Sequence, residues 1–294
     1  MRSRGFTLIE LVVVIVITGI IAAAATVFFK PAIDSYFDAR RRAMLTDAAD
    51  TALRRISRDV RSAVANSVRT PNNQCFEVIP GSAGGRYRQA SDTVNDAPAC
   101  TPSATCSAPL NLNNPASQVF DSLSPLAAVP AVGDWVVIDN QNTNDVYAVV
   151  GAPNSNRAQI SAVATPARAS DGLHRITVVS TQFPSGYDGY RFVIVPNAQR
   201  AVFYSCVGAG LDAQGNGTGV LYRDSNYGFN AAYPGACRGA GGDILAKRVK
   251  SCTFIYSATQ DATQQNGFVW MQLELTEANE TVSLSYGAHV DNVP

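Results

Sequence analysis

Glu10 is the residue whose type and position most need a chemical explanation. It is the only charged side chain in the 24-residue, largely apolar run 6–29. As a helix rising about 1.5 Å per residue, this run is long enough to cross a bilayer core of about 30 Å. A carboxylate within lipid costs at least about 2.5 kcal/mol, so we expect Glu10 to have a function and a cationic partner.

Three interpretations of this segment are open from the residues alone. An ordinary secretory signal would be cut in the alanine run 22–25, which satisfies the small-x-small rule, although Glu10 would interrupt its apolar region. A plain single-pass anchor explains the length and leaves Glu10 unexplained. A cut between Gly5 and Phe6 would give Phe6 a cationic α-amine. That amine could pair with Glu10 of a neighbouring helix, because the attraction is large in a low dielectric.

The segment Gly5–Glu10, with the sequence GFTLIE and an apolar helix after it, resembles the prepilin signature of type IV pilins and type II secretion pseudopilins. The resemblance implies that a membrane-embedded prepilin peptidase cuts after Gly5 and that the new N-terminal residue, Phe6, is methylated. It also implies that the helices of many subunits pack into a fibre. In that fibre, Glu10 would recognise a neighbour's terminus and set the subunit register.

Later segments resemble those of minor pilins in the mannose-sensitive haemagglutinin (MSHA) class of type IV pili. The resemblance implies a minor pilin that supports surface attachment. The chain of 294 residues is bulky for a repeating fibre subunit, so we expect a low-copy subunit that helps to initiate the fibre or occupies its tip region. The segments occur in order along the chain: Asp47–Ile56, Arg58-Asp59, Asn66–Arg69, Gly84–Arg88, Leu221–Arg223, Val249–Cys252 and His289–Pro294.

The resemblance also implies the partners and the location. The partners are the major pilin and other minor pilins, met through the N-terminal helices, together with the prepilin peptidase, the inner-membrane pilus assembly platform and the lipid bilayer. The subunit would span the bacterial inner membrane once, with its head in the periplasm, and then reside in the pilus at the cell surface. Two alternatives are open: a pseudopilin of a type II secretion system, and an adhesive, ligand-binding tip subunit whose surface is formed by residues 81–131 and 207–243.

One long helix must position Glu10, and its periodicity predicts an extent from Phe6 to about Asn66. Pro31 is expected to kink this helix or open it locally, because proline removes a backbone donor and crowds the preceding turn. The outer half has an apolar stripe at steps of three and four residues. The stripe consists of Leu45, Ala49, Ala52, Leu53, Ile56, Val60, Ala63 and Val64.

Arg40, Arg41 and Arg42 form a cationic run beyond the expected membrane exit. A solvated helix face or contact with acidic neighbours explains this run better than binding to lipid headgroups. Arg2 and Arg4 precede the apolar run and place the N-terminus on the cytoplasmic side, which leaves the head outside.

Beyond Pro71 the pattern changes to short β-type runs separated by Gly, Pro, Asn and Asp clusters. The expected fold class is α+β, a type IV pilin-like fold with the long helix packed on a mainly antiparallel sheet. Residues 81–131 and 207–243 are expected to be surface loops. Strands are expected at 135–138, 146–150, 175–179, 190–195, 201–206, 249–256, 268–275 and 282–286.

This organisation divides the chain into four expected parts. They are a leader peptide (1–5), a transmembrane or fibre-core helix (6–29), an amphipathic periplasmic half of the helix (30–68) and a β-rich globular head (71–294).

Disulfides are expected in a head that faces the oxidising periplasm. Two pairs are suggested by position: Cys100 with Cys106, and Cys206 with Cys237. Zinc is the alternative, but no Cys-x-x-Cys pair or nearby histidine accompanies the cysteines. Six cysteines allow fifteen pairings, and the sequence does not choose among them. They are Cys75, Cys100, Cys106, Cys206, Cys237 and Cys252.

Signals of catalysis are sparse, and the chain is not expected to be an enzyme or to need a cofactor. His174 and His289 are its only histidines, and neither accompanies a nucleophile in a recognisable motif. Asp212, Asn216 and Asp224 could offer oxygen ligands to calcium, although their spacing fits no EF-hand loop. Lys plus Arg and Asp plus Glu balance at 23 each, so no basic excess indicates a nucleic-acid partner.

Overall fold

A single long helix dominates the N-terminal part of the molecule. In the computed structural model, helix α1 (Leu8–Arg61) has 54 residues, which corresponds to about 81 Å at 1.5 Å per residue. Gly5 and Phe6, the expected cleavage and methylation site, lie outside the described residues. The structure describes residues 7–152, 155–184, 189–225, 227–258 and 266–292.

α1 begins after its N-cap Thr7 and continues through Pro31. The kink expected at Pro31 stays a prediction. The helix ends at Arg61, earlier than the expected Asn66. Asn66 has φ +57°, a left-handed conformation that cannot continue a right-handed helix.

The two halves of α1 have different surroundings. Between Leu8 and Phe29 nearly all side chains are exposed, with Leu8 at 81 % and Phe28 at 78 %. In the outer half, the predicted apolar stripe from Leu45 to Val60 is buried against the head. Ala63 and Val64, its last two members, lie beyond the end of α1, where Ala63 is half-buried and Val64 is buried. The amphipathic prediction for the outer half is therefore confirmed.

β-strands follow α1, and all their pairings are antiparallel. The fold class is α+β, consistent with a type IV pilin fold. The strands of the described residues are β1 (Arg69–Asn72), β2 (Cys75–Val78), β3 (Ala83–Arg86), β4 (Val119–Ser122), β5 (Trp135–Val137), β6 (Arg157–Ala164), β7 (His174–Val178), β8 (Arg191–Val195), β9 (Val202–Val207), β10 (Gly219–Asp224), β11 (Asp243–Ser257), β12 (Asn266–Glu277) and β13 (Glu280–Asp291).

α1 packs on a seven-stranded sheet with the order β1-β2-β9-β10-β11-β12-β13. The helix contacts β11, β12 and β13. In β12 the residues alternate as predicted: Val269, Met271 and Leu273 are buried, and the residues between them are half-buried. Burying each side chain of this size contributes about 1.5–3 kcal/mol, so this interface holds the helix to the head.

A second sheet of six strands has the order β3-β8-β5-β6-β7-β4. Its two end strands meet where Tyr87 lies opposite Ser122. The N–H of Arg88 donates to the Asp121 carbonyl at 2.9 Å, and the N–H of Leu123 donates to the Arg86 carbonyl at 2.8 Å. These bonds close the sheet into a small barrel. The barrel has its own apolar core, which includes Phe120, Ile160, Ile176, Phe192 and Ile194.

The barrel joins the rest of the head just beyond the C-terminal end of α1. The N–H of Gly81 donates to the Ser62 carbonyl at 2.7 Å, and the N–H of Ser82 donates to the Ile194 carbonyl of β8 at 2.8 Å. A third apolar cluster, which includes Val64 and Val195, fills this junction. The barrel therefore lies at the end of α1 that is farthest from the apolar segment.

The strand predictions are confirmed except at 146–150. There, Asp145–Tyr147 form a 3₁₀ turn, because the N–H of Val146 donates to the buried side chain of Asn140 at 2.9 Å. The loop predictions for 81–131 and 207–243 are wrong in part, since β3 and β4 lie in the first segment and β10 in the second. The short strands of the first segment belong to the barrel, a second sheet that the sequence did not indicate.

All six cysteines form disulfides in the structure. Cys100 is bonded to Cys106, as predicted from their spacing. The predicted pairing of Cys206 with Cys237 is wrong. Cys206 bonds Cys252 on β11, and Cys237 bonds Cys75 on β2. The segment 207–243 is therefore attached to β2 near its C-terminal end.

Candidate functional site

Glu10 lies in the first turn of α1 and forms a capping box with Thr7. The N–H and the hydroxyl of Thr7 both donate to Glu10 Oε2 at 2.9 Å, and the N–H of Glu10 donates to Thr7 Oγ1 at 3.3 Å. The sequence interpretation of Glu10 missed this role, which the pattern Thr-x-x-Glu could have revealed. A carboxylate offers about four acceptor sites, and these bonds occupy Oε2 alone, so Glu10 can still accept from a partner.

The helix around Glu10 is suited to apolar surroundings. α1 is the one helix of the described residues that is long and apolar enough to cross a membrane. The hydroxyls of Thr18 and Thr26 donate to backbone carbonyls of the preceding turn at 2.7 and 2.8 Å. Their polar groups are thus satisfied within the helix, as a lipid-facing or helix-facing surface requires. Glu10 is the exception in this segment, because its carboxylate is charged and retains unused acceptor sites.

Exposed polar contacts tie the middle of α1 to β13. Arg42 forms a two-point ion pair with Glu280, with Nε–Oε2 at 2.7 Å and Nη2–Oε1 at 3.2 Å. The Tyr286 hydroxyl donates to Asp50, which also accepts from Arg54 Nε at 2.6 Å. The hydrogen bond from Arg42 lowers the pKa of Glu280, and those from Arg54 and Tyr286 lower the pKa of Asp50. Such exposed pairs add little stability, and the buried apolar stripe decides which side of α1 faces the head.

The arginine run 40–42 lies well past the apolar run 6–29 along α1, and two of its members pair with acidic residues. Arg40 is about 17 Å past Phe29 along the helix, whereas the headgroup region is roughly 5–8 Å thick on each side. Arg41 pairs with Asp38 at 3.2 Å, and Arg42 pairs with Glu280. These pairs support the interpretation as a solvated face in contact with acidic neighbours.

A buried polar network joins α1 to the seven-stranded sheet. Asp59 Oδ2 accepts from Arg223 Nη2 at 2.7 Å and from the Tyr204 hydroxyl at 2.6 Å. Burial, with the neighbouring Asp59 carboxylate, raises the pKa of Tyr204. Arg223 also donates to Gln199 at 2.9 Å. The sequence interpretation missed this network, although Asp59 and Arg223 both fall in segments that resemble minor pilins.

A second buried ion pair lies beside the barrel junction. Arg69 of β1 pairs with Glu77 of β2 at 2.6 Å, and its guanidinium carbon lies 3.4 Å from the ring centre of Tyr147. The Tyr227 hydroxyl donates to Glu77 at 2.6 Å. Burial raises the pKa of Glu77, against the opposing effects of Tyr227 and Arg69. Arg69 also donates to the carbonyl of Asn230, so this pair holds three separate segments together.

The calcium candidates do not form a site. Asp212 accepts from the N–H groups of Gln214 and Asn216 within its own loop. Asp224 lies at the opposite end of β10 and pairs with Arg238 at 2.8 Å. Within the described ranges, no group of three His, Cys, Asp or Glu residues could hold a metal ion.

The two histidines do not form a site together, because they lie in different sheets. His174 is in β7 of the barrel, and His289 is in β13 of the seven-stranded sheet. The His289 ring lies 5.0 Å from that of Phe268. This is a packing contact on the sheet surface.

Comparison with known proteins adds one match. The family described as the prokaryotic N-terminal methylation motif matches residues 1–26. Neither the curated proteins nor the solved structures contain a significant match to the chain. The motif supports a type IV pilin-type or pseudopilin subunit, a class that is structural and not catalytic. It implies processing by a prepilin peptidase and assembly with other pilins, and it fits a membrane-anchored pilin that later enters a surface pilus.

Proposed function

We propose that this chain is a minor pilin of the MSHA class of type IV pili, similar to the MSHA pilus protein MshO, and that it initiates the fibre or occupies its tip region. The observation that carries the proposal is a methylation motif on a helix whose apolar half is exposed while its outer half is bound to a folded head. The MSHA class rests on the ordered segments described above. Before assembly, the subunit spans the inner membrane once with its head in the periplasm.

The exposed half of α1 explains how one subunit serves in two surroundings. Its apolar side chains need cover from water, which either lipid tails or the helices of other subunits provide. Extraction from the membrane into a fibre therefore exchanges one apolar environment for another. The outer half stays attached to the head throughout, because its stripe is part of the head's core.

Glu10 sets the register of this exchange. After a cut between Gly5 and Phe6, the methylated amine of a neighbouring subunit remains cationic and can donate to Glu10. In apolar surroundings an unpaired carboxylate is strongly penalised, so the neighbour docks where the two charges meet. The capping box holds Glu10 at the helix end, where an axially displaced neighbour can reach it.

The position of the barrel supports a place at the tip. Subunits that enter a fibre from the membrane side push earlier subunits outward, so the end of α1 farthest from the apolar segment points outward. The barrel lies at that end. The barrel fills the space at the outward end of the subunit, where a further subunit would otherwise pack. The membrane-facing side of the head carries no barrel. We assign residues 71–294 to one head made of the sheet and the barrel.

The test separates the charge of Glu10 from its role in the helix cap. Glu10→Val removes both, whereas Glu10→Gln retains a cap acceptor and removes the charge. We expect both variants to stay in the membrane and to co-purify with sheared fibres much less than the wild type. If Glu10→Gln is incorporated normally and Glu10→Val is not, Glu10 acts through the helix cap and not through its charge. Normal incorporation of both would overturn the register role.

Two further measurements address the class of subunit. Mass spectrometry of the mature protein should find a methylated Phe6 at the N-terminus, and a product that begins in the alanine run 22–25 would contradict the proposal. Co-purification with pilins is expected. Co-purification with a type II secretion platform would identify a pseudopilin instead.

A further inference from the structure

Strand β13 forms one edge of the seven-stranded sheet and pairs with β12 alone. The pairing begins at a two-residue turn, where Glu277 faces Glu280. In such a hairpin, every second residue of β13 bonds β12, and the residues between them direct their N–H and C=O groups to the other side. Those groups have no backbone partner among the described residues. They belong to Thr281, Ser283, Ser285, Gly287 and His289.

This free edge lacks the sequence features that usually protect an edge strand. Proline, lysine and β-bulges are the common devices that prevent another strand from adding. β13 contains no proline or lysine, and its register with β12 has no bulge over the whole strand. A long, regular edge of this kind is a template for β-strand addition.

Helix α1 runs alongside β13 in the same direction. Three contacts along their length establish this alignment: Arg42 with Glu280, Asp50 with Tyr286, and Asn66 with Asn292. A subunit whose helix packs beside this flank of α1 therefore brings its head next to the free edge.

A groove of about 570 Å³ separates α1 from β13. We call it the edge groove. It lies on the flank of α1 where Asp50 reaches Tyr286 of β13, whereas Asp59 on the opposite flank reaches Arg223 of β10. The groove is therefore on the side of the free edge. It is lined by Arg54, Ser57, Arg58, Arg61, Ser62 and Tyr286.

The edge groove is cationic. Arg54 pairs with Asp50, but Arg58 and Arg61 are exposed and take part in no ion pair among the described residues. A strand added to β13 would direct every second side chain towards α1, because side chains alternate between the two faces of a sheet. Acidic side chains at those positions would meet the two arginines.

We propose that an extended acidic segment of a neighbouring pilin subunit adds to β13 as a further strand and directs its carboxylates into the edge groove. Its backbone bonds the free groups of β13, and Asp or Glu at every second position pairs with Arg58 and Arg61. A second copy of β13 does not fit this surface, because residues 281–290 include no acidic side chain. The identification of the partner as a pilin rests on the proposed function, whereas the chemistry of the surface does not.

The test uses the unassembled full chain in nanodiscs of zwitterionic lipid. The probe is a short fluorescein-labelled peptide in which glutamate and valine alternate, and fluorescence anisotropy measures its binding. Two comparison peptides separate the contributions. One has lysine in place of glutamate, and the other has the acidic sequence with N-methylated backbone amides. We expect the acidic peptide to bind in the micromolar range and both comparison peptides to bind at least tenfold more weakly.

Variants of the chain locate the peptide. Ser285→Pro removes an outward N–H that β12 does not use, so the sheet retains its own hydrogen bonds and the peptide should bind at least tenfold more weakly. Ser285→Ala retains that N–H and should bind normally. Arg58→Gln combined with Arg61→Gln should weaken binding about tenfold, or roughly threefold for each exposed ion pair. Arg40→Gln removes an exposed arginine farther down α1 and should have no effect. Circular dichroism checks that each variant is folded.

Four results would overturn the proposal. They are the absence of binding of the acidic peptide at millimolar concentration, equal affinity for the lysine peptide, equal affinity for the N-methylated peptide, and binding that neither the paired arginine changes nor Ser285→Pro affects. The N-methylated peptide tests the backbone contact even if Ser285→Pro does not fold. Normal incorporation into fibres without peptide binding would overturn this inference alone. Peptide binding by a chain that never enters fibres would contradict the pilin function and support the surface described here.

Discussion

Asp59 of α1 and Arg223 of β10 form an ion pair of 2.7 Å inside the head, although they are 164 residues apart in the sequence. Their side chains are 7 % and 4 % exposed. A pair this well buried has little water to replace a lost partner. It adds a specific polar contact to the apolar packing that holds α1 on the sheet.

Asp59→Ala should destabilise the head by about 3–5 kcal/mol, because it leaves the Arg223 guanidinium buried without a counter-charge. Chemical denaturation of the full chain in detergent, followed by near-ultraviolet circular dichroism, measures the free energy of unfolding. Arg54→Gln breaks an exposed pair on the same helix and is the matched control, with little effect expected. Equal effects of the two variants would refute the structural role of the buried pair.

The β12–β13 hairpin has a strained turn that one substitution should relax. Ala278 and Asn279 have φ +48° and +65°, as in a type I′ turn, which favours Asn-Gly and disfavours alanine. Ala278→Gly should therefore raise the free energy of unfolding by about 0.5–1 kcal/mol. Gly215→Ala is the opposite test, because a Cβ there would collide with the side chain of Asn279. A melting temperature that falls for Ala278→Gly would contradict this account.

The sequence predicted the parts of the fold that depend on local periodicity. The stripe of α1 and the alternation in β12 were readable because each repeats over several turns or pleats. The barrel could not be predicted from the sequence, because its strands β3, β4 and β5 have three or four residues each. Such short strands form by pairing with strands that are distant in the sequence, and local hydrophobic periodicity does not identify those partners.

The candidate sites show the same limit. The motif around Glu10 was recognisable because its residues are consecutive, and its capping box has a readable signature. The partners Asp59 and Arg223 lie on different elements that only the folded chain brings together. The disulfide between Cys75 and Cys237 could not be predicted for the same reason, because its cysteines are 162 residues apart in the sequence. Of the two pairs that position in the sequence suggested, only the short Cys100–Cys106 loop is correct.

Asp96 should make the stability of the barrel depend on acid pH. Its carboxylate accepts from the Ser107 hydroxyl and from Arg168, and these bonds lower its pKa. The unfolded chain, with an ordinary Asp pKa of about 3.9, then binds more protons near pH 4 than the folded chain. The stabilisation is therefore complete above about pH 5 and is lost as the pH falls through the folded-state pKa.

Asp96→Asn tests this dependence. Urea unfolding of both proteins between pH 3 and pH 6 should give a difference in midpoint that is largest at pH 6 and shrinks towards pH 3. The remaining carboxylates are common to both proteins and cancel in the difference. A difference that is constant with pH would show that Asp96 does not carry the effect.

The tip position predicts where a label on the barrel appears in the fibre. The loop between β4 and β5 is apolar and exposed, with Val129 at 72 % and Val132 at 68 %, so a short epitope inserted after Val129 should be tolerated and reachable by antibody. Immunogold labelling of sheared fibres should mark one end, because mass beyond the end of α1 limits the addition of a neighbour above. The same epitope on the major pilin is the control and should mark the whole length. Labels of the minor subunit distributed along the shaft would contradict the tip position while leaving its membership of the fibre intact.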